Sequence, residues 1–261
     1  MPQNDRVSTG PDAPGNGRGR DLSRDDRSPW DRRRALPLAW AEPSWILDGL
    51  LGCGAQLGAF GLCTLPFATL RIRDRTVLLV ADSHGGKSTL ALQGLLRGHG
   101  VLDDNMTWFD RRDRALFIGR PIMLRRDGWR QFRAGARDPN LGPDLVPDLD
   151  LRVFSYFDGG VLVRAPRAAP LLSPHPIDVI AFPWRHPIDA RAQPFGRTDG
   201  RTRADDLYRA RMRRPPDARQ AALLDAIFAR AAQVVDLVYD EAGAGMAALA
   251  AVVDAETAGR P

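Results

Sequence analysis

VLLVADSHGGKSTLALQGLLRG, Val77 to Gly98, changes character halfway along. Its first residues, with Thr76 before them, form a run of β-branched and leucine side chains that reads as a buried strand. The Gly85-Gly86 pair ends that run. Leu90, Leu92, Leu95 and Leu96 then mark a largely buried helix. Strand, glycine turn and helix in this order predict an α/β fold. Lys87 stands at the turn, and it is the only lysine among the 37 basic residues of the chain.

The rhythm continues on both sides. Phe67–Ile72 (FATLRI) reads as a strand and Arg73–Arg75 as a turn, with Gly100–Asp104 a short strand beyond the helix. MTWFD (106–110), RALFIG (114–119) and PIMLRR (121–126) read as hairpin strands. DGWRQFRAG (127–135) reads as a short helix, and the proline-rich 138–150 segment as a loop. Strands are predicted in LRVFSYF (151–157), GVLVRA (160–165) and IDVIAFPW (177–184). HPIDARAQPFGRTDGRT (186–202) is expected to be a long loop. DARQAALLDAIFARAA (217–232) reads as a helix with Ala221, Leu224, Ile227 and Phe228 on one face. VVDLVYD (234–240) is a last strand and GMAALAAVVDA (245–255) a last helix. The expectation is one α/β domain over 36–257, a mixed sheet with flanking helices. Residues 1–35 are rich in Gly, Pro, Asp and Arg, and their low apolar content predicts disorder.

Composition excludes several classes. The 261 residues are 44% hydrophobic, enough to bury a sizeable core. The formal charge is +5, but Arg and Asp alternate along the chain without long runs of one sign. That favours a general Arg-for-Lys bias over a nucleic-acid patch, so no nucleic-acid partner is expected. Cys53 and Cys63 are too few for a disulfide framework and lack metal-site spacing, which fits a reducing cytoplasm. The first 34 residues contain no apolar core and do not read as a signal peptide. Gly49–Leu70 is uncharged and long enough to span a bilayer. Gln56, Pro66 and its many glycines instead favour buried strands or a packed hairpin, so no membrane partner is expected. His175 and His186 precede prolines in loop-like segments. Trp30, Trp40 and Trp45 read as core anchors.

The turn carries the chemistry. Ala81-Asp82-Ser83-His84-Gly85-Gly86-Lys87-Ser88, followed by Thr89, fits the phosphate-loop pattern G-x-x-x-x-G-K-[ST], with Ala81 in place of the first glycine. Glycines let successive N–H groups turn inward toward phosphate oxygens. The helix starting near Ser88 directs its positive end to the same place. Lysine supplies a compact charge on a flexible stem, whereas arginine is a flat fork. In such a loop Lys87 reaches the β/γ-phosphates and the Ser88 hydroxyl meets Mg²⁺. Asp103 and Asp104 end the next strand, where a carboxylate can hold Mg²⁺ or take a proton from an attacking hydroxyl. An acidic pair at a strand end also suits a solvated turn.

These residues resemble the kinase domain of the HPr serine kinase/phosphorylase superfamily, in particular its stand-alone short forms. That family's loop reads G-D-S-G-x-G-K-S, which this chain matches at Asp82, Ser83, Gly86, Lys87 and Ser88. Ala81 and His84 depart from it, and His84 either touches a phosphate or acceptor or points to solvent. The family continues RGHxLxxDD, and here Arg97-Gly98-His99 leads into Asp103-Asp104-Asn105. Without a gap the acidic pair falls on Asp104 and Asn105; a slip of one residue places it on Asp103 and Asp104. GRPIMLRRDGW (119–129) resembles the segment after the acidic pair in the stand-alone forms, with Arg125 as the matching arginine.

The resemblance implies an ATP- and Mg²⁺-dependent kinase that phosphorylates a serine of a peptide or small protein. Lasso-peptide and other ribosomal precursor peptides are the associated acceptors of the short forms. It implies Asp104, Lys87 and Arg125 in transfer, Ser88 and Asp104 at Mg²⁺, and Asp82, Ser83, His84, Gly85, Gly86, Lys87, Ser88 and Thr89 at the nucleotide. Pro66 stands where the family often has His. The long form's N-terminal domain and its E-x-R-G-x-G signature are absent, so neither action on HPr nor phosphorolysis is implied. The changes at Pro66 and Asn105 keep a second reading open, a nucleotide-binding accessory without transfer activity. A small-molecule kinase is the third.

Overall fold

A computed structural model describes residues 61–83, 85–119, 122–125, 128, 152–155, 161–164, 169–170, 172–187 and 189–258. The 1–35 segment, the tryptophans at 30, 40 and 45, most of the uncharged stretch from Gly49, the helix expected at 127–135 apart from Gly128, and the 138–150 loop lie outside the described residues.

The chain forms β1 (Cys63–Leu65), β2 (Ala68–Ile72), β3 (Arg75–Leu79), α1 (Lys87–Leu96) and β4 (Gly100–Asp103). Then come β5 (Thr107–Phe109), β6 (Ala115–Leu116), β7 (Ile122–Leu124), β8 (Arg152–Ser155), β9 (Val161–Arg164) and β10 (Pro174–His175). β11 (Val179–Arg185), β12 (Arg191–Pro194), α2 (Arg197–Met212), α3 (Ala218–Arg230), β13 (Gln233–Tyr239) and α4 (Ala242–Ala258) complete it. The central sheet has the order β12-β13-β11-β3-β2-β4. β3, β11 and β13 run parallel, while β2 is antiparallel to β3 and β4, and β12 to β13. The architecture is α/β with a mixed sheet, as the strand–helix rhythm predicts.

Strand alternation gives the sheet two apolar faces. Leu70, Val77, Leu79, Ala181, Val235 and Leu237 point to one face, where α1 and α4 cover them with Leu90, Leu95, Met246 and Leu249. Leu78, Val80, Ile180, Phe182 and Val234 point to the other, covered by α2 and α3 with Ala204, Tyr208, Leu224 and Ile227. β3 is flanked by strands on both sides and covered on both faces, which is why its sequence reads as an unbroken apolar run.

Two expectations change. The 186–202 segment is not a loop: it contains β12, paired with β13, and the first turns of α2. α2 lacks a continuous apolar stripe, and Gly200, Thr198 and Asp199 are poor helix formers. Its stability comes from tertiary contacts. Gly200 lies against Phe228, Val234 and Phe182, where a Cβ would approach within 3.0–3.2 Å. Arg201 bridges Asp205 and Asp225, and Arg203 pairs with Asp236 at 2.7 Å. The second change concerns the hairpin. β5 and β6 pair as expected, but β7 leaves them to pair with β9 in a separate sheet with β8. His175 also lies in a short strand, β10, rather than in a loop. No helix of the described residues is long and apolar enough to cross a membrane.

Many of the interspersed arginines and aspartates meet each other. Asp178 accepts from Arg75 and from Thr76 N, and Asp113 takes both Arg219 and Arg230. The junction between α2 and α3 is tied by Gln220. It completes a capping box with Asp217, accepts from Tyr208 Oη at 2.6 Å, and donates to Thr64 O at 3.1 Å. Gln220→Ala is therefore expected to cost about 2–3 kcal/mol, from the lost return bond to Asp217 N and the unpaired Tyr208 hydroxyl and Thr64 carbonyl. A urea midpoint unchanged from wild type would contradict this.

Candidate functional site

The 81–88 turn is shaped by space as much as by hydrogen bonds. Val80 N donates to Ala181 O at 2.9 Å, and beyond it the chain leaves the sheet. Asp82 holds the turn: Ser83 N donates to its Oδ1 at 2.6 Å and Gly85 N to its carbonyl at 3.1 Å. A Cβ on Gly85 would come within 2.6 Å of the Ala81 methyl, so these two positions cannot both carry side chains. Ala81 is accommodated because residue 85 is glycine. Gly86 precedes α1 with φ 80, and a Cβ there would fall on the Tyr239 hydroxyl. α1 then starts with neither a side-chain cap nor an acidic residue of its own in its first turn.

Lys87 is buried, and its Nζ donates to Ala81 O at 2.8 Å and to Asp82 O at 2.7 Å. Burial, aided by the nearby Arg211 charge, lowers its pKa to about 8, with Asp104 and Asp82 opposing the shift. Ser88 Oγ donates to Asp104 Oδ1 at 3.0 Å, and Met123 N from β7 donates to Asp104 Oδ2 at 3.1 Å. Burial raises Asp104 to about 6, against the pull of Ser88, Met123, Lys87 and Arg211.

A β-bulge decides which aspartate meets Ser88. Leu70 pairs with Val101, but Thr69 pairs with Asp103, so β4 gains one residue at this point. A one-residue slip reverses which face each following side chain takes. Asp104 is thereby delivered to α1. Asp103, fully buried opposite Thr69, has no side-chain hydrogen-bond partner among the described residues, and burial raises its pKa well above the usual range. The same burial, with the Asp104 charge beside it, disfavours its charged form.

The described parts of the expected site thus divide. Lys87, Ser88 and Asp104 come together, with Asp82, Ser83, Gly85 and Gly86 forming the turn and Thr89 in the first turn of the helix. Arg125 is exposed just after β7, two residues beyond the Met123 amide that binds Asp104. His84 lies outside the described residues. Cys63 is buried, and its thiol is pushed up to about 11, which leaves it unreactive.

Sequence reasoning missed two groups. Arg211, from the last turn of α2, reaches Asn105 next to Asp104 and shifts the titration of Lys87 and Asp104. It carries no local signal, being one of four arginines between positions 209 and 214, in a segment whose helical start reads as loop. Tyr239, at the end of β13, puts a buried hydroxyl, unpartnered among the described residues, beneath Gly86. It reads only as the close of an apolar strand.

For Mg²⁺ the donor set fits in part. Ser88 Oγ and Asp104 Oδ1 are hard oxygens 3.0 Å apart, and the buried carboxylate gains from a cation. No cluster of three or more His, Cys, Asp or Glu side chains able to hold a metal occurs among the described residues. Beyond the two oxygens of Ser88 and Asp104, phosphate and water are the usual further ligands of magnesium. Neither a protein-family model nor a curated protein matches the chain.

Proposed function

We propose that this protein is an ATP- and Mg²⁺-dependent P-loop kinase of the HPr-kinase-like kind that phosphorylates a serine of a peptide or small protein. A ribosomal precursor peptide is the acceptor class that the motif resemblance favours. One observation carries the reading: Lys87, the uncapped start of α1, Ser88 and a half-protonating Asp104 converge on one turn. In this reading the amides of the 81–88 turn and Lys87 hold the β- and γ-phosphates. Ser88 and Asp104 would hold Mg²⁺, which supplies charge neutralisation at those phosphates. Asp104, with a pKa near the working pH, takes the proton from the acceptor serine. The serine oxygen forms its bond to the γ-phosphorus as the bond to the β–γ bridging oxygen breaks, and ADP leaves.

Thermal melting with and without Mg²⁺-ATP tests the binding step. At a hundredfold excess over Kd the ligand is expected to stabilise the wild type by about 2.7 kcal/mol. Lys87→Ala is expected to abolish that shift. Equal shifts in both, or none in either, would overturn nucleotide binding at this turn. Mass spectrometry of serine peptides incubated with enzyme and Mg²⁺-ATP then tests transfer. Binding without any phosphorylated acceptor would favour a nucleotide-binding accessory.

A further inference from the structure

Arg211 enters the site from a different layer of the fold. α2 lies on the face of the sheet opposite α1, and Arg211 is in its last turn. There Arg211 Nη2 donates to Asn105 O at 3.3 Å and also to Asn105 Oδ1. Asn105 is built to receive it: its φ is 87, a left-handed conformation that asparagine tolerates better than most residues. Both of its oxygens are thereby turned to the same guanidinium.

The choice of amide over carboxylate has an electrostatic consequence. An amide oxygen accepts an N–H bond but cancels no charge. Asp104, the nearest acid, is already bonded to Ser88 Oγ and Met123 N. Arg211, half-buried, is thus oriented by an uncharged partner, with Asp104 and Asp82 acting on it through space, and it stands near the buried cation Lys87. Two like charges converging from different elements repel each other, and an anion with several negative oxygens relieves that. The planar guanidinium fork matches two phosphate oxygens at once, whereas Lys87 offers a point charge.

We propose that Arg211 is the second phosphate-binding cation of this site, acting on the terminal phosphate of a nucleoside triphosphate, and that Asn105 is the positioning residue that orients it without adding a negative charge. The proposal rests on the nucleotide-binding reading above. It gives α2 a role in the site and gives Asn105 a reason to be an amide rather than an acid.

Calorimetric titration of the full chain with Mg²⁺-ATP and with Mg²⁺-ADP tests it. Arg211→Ala is expected to weaken ATP by about tenfold or more, the worth of one charge-assisted contact. ADP, lacking the terminal phosphate, is expected to lose much less. Asn105→Asp, which adds one negative charge at nearly constant size, is expected to weaken ATP comparably by neutralising Arg211. Asn105→Asp also keeps the test open should Arg211→Ala fail to fold. ATP affinities within twofold of wild type in Arg211→Ala or Asn105→Asp, alongside lost binding in Lys87→Ala, would overturn the role of Arg211 and leave the nucleotide reading intact. Unchanged binding in Lys87→Ala would remove the nucleotide reading and this proposal together.

Discussion

Gly86→Ala is expected to destabilise the fold by about 2–5 kcal/mol and to abolish the Mg²⁺-ATP melting shift. Two costs add. At φ 80 a side chain crowds its own carbonyl, which costs about 1–2 kcal/mol. The new methyl would also fall on the Tyr239 hydroxyl and lie 3.2 Å from Cζ, inside a packed layer where overpacking costs about 1–3 kcal/mol. The second cost is separable. The Tyr239 hydroxyl is buried and has no hydrogen-bond partner among the described residues, and burial lifts its pKa to about 12. Tyr239→Phe alone is therefore expected to be neutral or slightly stabilising. Combined with Gly86→Ala it should recover most of the overpacking cost and none of the backbone cost. Urea denaturation of the four proteins gives the coupling directly. A coupling near zero, or a Gly86→Ala cost below about 1 kcal/mol, would show that Tyr239 does not set the shape of the turn.

The second large effect concerns Asp104, where stability and chemistry should move in opposite directions. Its folded pKa is raised to about 6, above an ordinary value of 3.8. A raised carboxylate pKa means that the folded state holds its proton longer, so this group takes stability away as pH climbs from about 4 to about 6. Above that window the loss is complete, on the order of 2–3 kcal/mol. Asp104→Asn removes the buried charge and can keep both contacts: its oxygen accepts from Met123 N, and its amide donates to Ser88 Oγ. The ligand-free variant is therefore expected to be more stable than wild type at pH 7 and equal to it near pH 4. Urea titrations at the two pH values check this, and a destabilised variant at pH 7 would sink it.

Activity should run the other way. If Asp104 is the base, Asp104→Asn loses about 10²–10⁴ in rate. For the wild type, kcat/KM is expected to rise with pH through about 6 as Asp104 ionises, and to fall through about 8 as Lys87 loses its proton. A profile flat between pH 5 and 7, about a unit either side of the Asp104 value, would remove Asp104 from proton transfer.

The strand–turn–helix around Lys87 was legible because everything that makes it lies within about two dozen residues. The apolar run, the glycine pair and the leucine spacing each leave a local mark. The same holds for α3, whose capping box and apolar face are both local patterns. α2 was illegible because its helix is held by ion pairs and by the close seat of Gly200 on Phe182 and Val234, none of which leaves a periodicity. Nor could spacing choose between Asp103 and Asp104. One bulged residue opposite Leu70 and Thr69 reverses the two carboxylates, and a bulge is a property of the pair of strands, not of either one.

The sequence by itself determined the class of fold, the turn, and the set of side chains from which a phosphate site can be built. Only the tertiary structure decided which acid meets Ser88, that a tyrosine at the end of β13 fills the space under Gly86, and that Arg211 stands beside Lys87. The physical reason is distance along the chain: Arg211 meets Asn105 across 106 positions. Hydrogen bonding and charge act through space over a few ångströms, so neither leaves any trace in the order of residues between them.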